Sequence, residues 1–86
     1  MPTICMFKGI KIYINWNEHN PPHFHAVYGG EEVSVLIREL EVLEGSLPNR
    51  QLKMVLGWAA LRQDDLLANW DLAARQQELF PIEPLR

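Results

Sequence analysis

The sequence predicts an α+β domain: an antiparallel sheet of three to four strands, followed by two helices packed on one of its faces. Three observations predict it. The first half carries short β-branched and aromatic runs that alternate with polar residues, the period of a half-buried strand. Gly29-Gly30 separates two of these runs at the spacing of a tight hairpin turn. After Ser46 the apolar period changes to that of a helix. Helices stacked on an antiparallel sheet bury both patterns against each other.

Ile10-Lys11-Ile12-Tyr13-Ile14-Asn15 alternates along its whole length and reads as a strand with one buried face. Ile4 to Phe7 is a candidate short strand before it, interrupted by Lys8-Gly9. Pro21-Pro22 excludes a mid-strand position, because proline offers no N–H to the ladder. Phe24 to Tyr28 and Val33 to Ile37 are the next strands, joined by Gly29-Gly30. Leu40 to Leu43 is a short further strand, ended by Gly45.

Ser46-Leu47-Pro48 reads as a helix start, with Ser46 as the capping hydroxyl and proline tolerated in the first turn. Leu52, Val55, Leu56 and Ala59 follow at helical spacing, and Met54, Trp58 and Leu61 form an adjoining stripe. Asp64 is the expected N-cap of a second helix, with Asp65 favourable at its positive end. Leu66, Trp70 and Ala73 make one face of it, and Leu67 and Ala74 another. One continuous helix through Asp64 is the alternative. Pro81 and Pro84 leave Phe80 to Leu85 as an extended tail whose apolar residues pack on the domain or on a neighbour.

Residues 1–86 make a single domain, since so short a chain has no room for a second core. Its core is modest, so a homodimer or a partner would add stability. A net charge of −3, with no basic run, argues against a general nucleic-acid binder. Cys5 is the one cysteine, so no intrachain disulfide forms, and its apolar neighbours predict a buried, inert thiol. The sequence shows neither a signal-peptide pattern nor an apolar stretch near the ~20 residues of a membrane span. A cytoplasmic protein without a membrane association is the expectation.

All three histidines fall in Asn17-Glu18-His19-Asn20-Pro21-Pro22-His23-Phe24-His25-Ala26. His23 and His25 share one face of the incoming strand, about 6.5–7 Å apart along the chain. His19 lies across the Pro-Pro turn. Three readings stand, ranked in this order. The first is a structural or partner-contact loop, stiffened by Pro21 and Pro22. The second is metal-free acid–base catalysis by His23 and His25 with His19 assisting, suited to attack of a ribose 2′-hydroxyl on its phosphate. The third is a divalent transition-metal site using His19, His23 and His25, with Glu18 as an oxygen ligand. No cofactor is the favoured expectation. Trp16 beside the loop is a candidate stacking surface, and Tyr13, Tyr28 and Lys11 are candidates to orient a ligand or stabilise charge. Glu31-Glu32 and Glu39-Glu41-Glu44 read as solvated strand edges.

The Pro21-Pro22-His23-Phe24-His25 core, preceded by Glu18-His19, resembles the hallmark of the domain of unknown function 4160 family of small bacterial proteins. Gly45-Ser46-Leu47-Pro48, Trp58 and Leu66 through Asn69-Trp70 look like its later landmarks. Glu18 stands where the family usually has Asp. The resemblance assigns no catalytic residue. It implies a two-gene arrangement like a toxin–antitoxin module, with a small cytoplasmic partner protein and an RNA-directed toxin activity. A non-enzymatic interaction module and a small metal-binding protein are the alternatives.

Overall fold

The computed structural model describes residues 2–86. Strands β1 (Thr3–Phe7), β2 (Ile10–Tyr13), β3 (His23–Tyr28), β4 (Glu31–Leu36) and β5 (Val42–Gly45) form one antiparallel meander in sequence order. Helices α1 (Asn49–Leu61) and α2 (Gln63–Ala74) follow. The class is the expected α+β, but the sheet has five strands rather than three to four. The additional strand is β1. Lys8-Gly9, read as an interruption, is the turn itself: both residues have positive φ, and Phe7 pairs with Ile10.

Gly29 and Gly30 take φ of 56° and 85°, the primed-turn geometry that only residues tolerant of positive φ supply. That turn sets Tyr28 opposite Glu31 and fixes the rest of the β3–β4 register. β5 starts two residues later than the sequence suggests, because Leu40 is drawn into the preceding turn at φ 58°. At the far end of β5, Gly45 has φ 79°, and a Cβ there would collide with the Glu32 carbonyl. Gly45→Ala is expected to cost roughly 2–3 kcal/mol, of which about 1–2 is the left-handed backbone alone. A lowered urea midpoint with an unchanged m-value checks it.

Strand alternation divides the sheet into two chemically different faces. Ile10, Ile12, Phe24, Ala26, Val33 and Val35 are fully buried and share one cluster with Val55, Trp58, Ala59 and Leu66 of the helices. Trp58 is central, with its ring 5.4 Å from Phe7 and 6.0 Å from Phe24. The intervening residues Tyr13, His23, His25 and Ser34 point to the opposite face, because strand neighbours alternate.

The helix starts differ from the expected caps. Ser46 does not cap α1: its N–H donates to the Glu32 carbonyl at 3.1 Å, so it still belongs to the sheet edge. Pro48 holds the cap position, and its carbonyl takes the Leu52 N–H at 2.9 Å. Arg62, at φ −126°, separates α1 from α2, so there is no single continuous helix. Asp64 and Asp65 sit inside the first turn of α2 and do not cap it. Their charges still favour that helix end. Leu61, expected in an apolar stripe, is 73% exposed at the end of α1.

The tail packs on its own domain. Asn69, fully buried, both donates to and accepts from the Phe80 backbone at 2.9 Å. Trp58 Nε1 donates to the Glu83 carbonyl, and Ile82 N–H donates to the Ile4 carbonyl at 2.8 Å. Cys5 is buried, as expected, and that burial pushes its thiol up. Among the described residues, no helix is long and apolar enough to cross a membrane.

Candidate metal centre

The site is built on the face of the sheet away from the core. Pairing of Tyr13 with His25, of His25 with Ser34 and of Ser34 with Glu44 lays one row across four strands. The loop from Ile14 to Pro22 folds over one end of this row. It is pinned to the end of α2: Asn17 N–H donates to the Ala73 carbonyl at 3.5 Å, and Trp16 Nε1 to that of Gln77 at 3.2 Å. The Asn20–Pro21 bond is cis. The Pro22 carbonyl accepts the Ile37 N–H at 3.0 Å, which ties the end of the loop to the end of β4.

This loop brings Glu18 onto the two rings. One carboxylate oxygen lies 2.7 Å from His23 Nε2 and the other 2.6 Å from His25 Nε2. His23 Nδ1 lies 2.8 Å from the Pro21 carbonyl. A carbonyl can only accept, so Nδ1 carries a proton and the Nε2 of neutral His23 presents a lone pair to Glu18. At His25, Nδ1 faces Ser34 Oγ at 3.2 Å, a hydroxyl that can donate or accept, and the Glu32 carboxylate at 3.4 Å. Two imidazole nitrogens and a carboxylate oxygen thus converge within 4.8 Å of one another. Between neutral rings and an ionised carboxylate such a cluster is repulsive. It requires protons or a metal cation at its centre.

The surroundings hold the rings in place. Tyr13 stacks on His25 with centroids 4.6 Å apart and planes 12° from parallel. Trp70 of α2 lies 5.1 Å from His23. The His23 and His25 side chains are 9% and 12% exposed and that of Glu18 is 22% exposed, so solvent reaches the cluster from the loop side. Burial raises the Glu18 carboxyl, but with the rings protonated and no metal between them the hydrogen bonds from His25 and His23 outweigh it and hold the group below its ordinary value.

Tyr13 donates to Glu32 at 2.8 Å, so Glu32 binds both Tyr13 and His25. Burial, then the hydrogen bond to Glu32, pushes the Tyr13 phenol from its ordinary 10.0 up to about 12. A raised pKa in the folded state means that folding favours the protonated form. The Tyr13 contribution to stability is therefore complete below pH 10 and is lost as pH rises through about 12. Urea denaturation across that window is expected to show the loss, and Tyr13→Phe to remove that component together with a phenolate absorbance transition near pH 12.

The family described as "Domain of unknown function (DUF4160)" matches residues 9–71 of the 86. The chain belongs to this family. The DUF4160 match spans the whole of the site described above, from Tyr13 to Gly45, and both helices up to Asp71. β1 and the tail lie outside it. No curated protein and no solved structure matches the chain.

Within the DUF4160 region the predicted site residues separate. His23, His25 and Glu18 come together. His19 is exposed and stands outside the triad: with Glu18 turned onto the rings, the next side chain faces solvent. Pro21 contributes its carbonyl, and Pro22 is buried. Trp16 is 46% exposed and fastens the loop through its indole N–H. Tyr28 lies at the other end of β3 from His23, half-buried against the core near Gly9. Lys11 Nζ lies 5.8 Å from the Tyr13 ring centroid. Glu32 is exposed, as the sequence predicts, and in addition accepts from Tyr13 and lies 3.4 Å from His25. Ser34 and Trp70 had no role in the sequence reading. Ser34 was within reach of it, because a two-residue Gly-Gly turn by itself sets His25 opposite Ser34.

Proposed function

We propose that this protein is a small metal-binding domain in which Glu18, His23 and His25 hold one divalent transition metal such as zinc. The convergence of the three ligand atoms carries the reading, and each ring has its Nδ1 side held by a hydrogen-bond partner, the Pro21 carbonyl for His23 and the Ser34 hydroxyl for His25. A metal-ligating histidine characteristically donates its other N–H to a carbonyl or a carboxylate. The Pro21 carbonyl serves His23 in that way; at His25 the hydrogen-bond partner of Nδ1 is Ser34 Oγ, with the Glu32 carboxylate 3.4 Å away. Three protein ligands leave a coordination position for water or a substrate, and a metal there lowers the pKa of bound water.

The charge around the site supports a cation over a polyanion. His25, Glu32, Ser34, Glu44 and Gly45 line a shallow hollow of about 300 Å³ beside the triad. With Glu18, three carboxylates face this region, and these repel a phosphodiester. RNA cleavage by a metal-free His23–His25 pair is the second reading, favoured by the short contacts of both rings to Glu18. The toxin role, with its cytoplasmic partner, rests on the family resemblance. In that case expression arrests growth, and His23→Ala or His25→Ala relieves the arrest.

Calorimetric titration of tag-free protein with zinc tests the metal reading. One site per chain is expected. His23→Ala and His25→Ala should each weaken it by more than the roughly 10- to 100-fold that loss of an outer partner costs. His19→Ala should leave it unchanged. Equal binding by all four proteins would refute the assignment.

A further inference from the structure

We propose that the open edge of β5 is a docking site for an extended basic segment of a partner protein, which joins the sheet as a sixth strand. The two edges of the sheet differ. Along β1, Ile82 of the tail donates its N–H to the Ile4 carbonyl and is itself buried. Among the described residues β5 has β4 as its only neighbour in the sheet, and all four residues of β5 are exposed. Val42 and Leu43 are each 42% exposed, among the few large apolar side chains left open. A bulge at Leu43 interrupts the pairing with β4 without covering either side chain.

Soluble proteins blunt free edges with lysine, proline or a covering segment. β5 has none of these and relies on its four-residue length and its bulge, which leave its side chains exposed. Its charges are acidic apart from Arg38: Glu41 and Glu44 lie on or beside the strand, Glu39 follows Arg38 in the turn before it, and Glu31 and Glu32 lie on β4, all exposed. Between Glu39 and Pro48 the chain has no Lys or Arg. A second copy is a poor occupant. Two β5 strands running antiparallel would set Glu41 and Glu44 of one against those of the other, and like charges across a strand pair destabilise it. The fitting occupant alternates Lys or Arg with apolar residues. Main-chain hydrogen bonds supply its affinity, and the carboxylates with Val42 and Leu43 supply its selectivity. Glu44 and Gly45 also line the hollow beside His25, so a docked strand lies along its rim. The proposal uses other residues than the triad and stands whether or not the triad binds metal.

The test is titration of isotope-labelled protein with a synthetic peptide that alternates Val with Lys and Arg, followed by amide chemical shifts and hydrogen exchange. Shifts confined to β5 and adjoining β4, slowed exchange of β5 amides and binding that weakens with added salt are expected. Glu41→Lys with Glu44→Lys should weaken binding roughly three- to tenfold, the scale of two exposed ion pairs. A peptide with Glu in place of Lys and Arg should not bind. No binding of the basic peptide, equal binding of the acidic one, or shifts centred elsewhere would overturn the proposal. So would sedimentation showing that the protein alone dimerises and that Leu43→Lys makes it monomeric, since the edge is then closed by a second copy.

Discussion

Replacing Trp58 with Ala is expected to remove about 3–5 kcal/mol of stability, the range for truncating a buried aromatic. Trp58 is 1% exposed and joins the two halves of the fold. Its ring packs on Phe7 of β1 and Phe24 of β3, and its indole N–H holds the tail at Glu83. Cavity formation therefore affects the sheet, α1 and the tail together. A domain of this length holds roughly 4–13 kcal/mol in total, so the variant is expected to be largely unfolded or close to it. Leu61→Ala is the control. That residue is in the same helix but 73% exposed, and its substitution should shift stability by no more than about 0.5 kcal/mol. Urea denaturation of the two variants measures the difference.

Zinc is expected to stabilise the wild-type protein by about 2.7 kcal/mol when free metal stands at 100 times its dissociation constant. Glu18→Gln should abolish most of this effect. The substitution is informative because an amide preserves the size of the side chain and can still hydrogen-bond both rings, donating to one and accepting from the other. The metal-free variant should therefore fold, while its third ligand has lost the charge that a divalent cation requires. Loss of the zinc response with retained cooperative unfolding separates a ligand from a merely structural clip. In a clip, Glu18→Gln would lower metal-free stability and leave the zinc response as it was.

The fold was largely legible because its signals are local. Alternation marked β2, β3 and β4, and the Gly29-Gly30 turn joined two of them. Apolar spacing placed α1 and α2. What sequence missed depended on contacts with distant residues. Lys8-Gly9 reads as a break until Phe7 is seen to pair with Ile10. Ser46 has the chemistry of a cap, but the β4 edge takes its backbone first.

The site divides in the same way. Strand alternation placed His23 and His25 on one face, and the hairpin register brings Ser34 opposite His25. The choice between Glu18 and His19 is made by the loop, and the loop is set by the end of α2, some 60 residues further along the chain, at Ala73, Gln76 and Gln77. No local pattern reports that contact. Glu32 is exposed, as its place in the alternation predicts. What alternation does not report is that its carboxylate also meets Tyr13 and His25 on the polar face of the sheet.

A metal site formed by Glu18, His23 and His25 has to hold its ion through purification. Elemental analysis of protein purified without a histidine tag and without chelators tests it most directly. Close to one divalent transition metal per chain is expected in the wild type and none in the His23→Ala, His25→Ala double variant. A wild-type protein free of metal even after incubation with zinc, or a double variant that retains as much metal as the wild type, would contradict it.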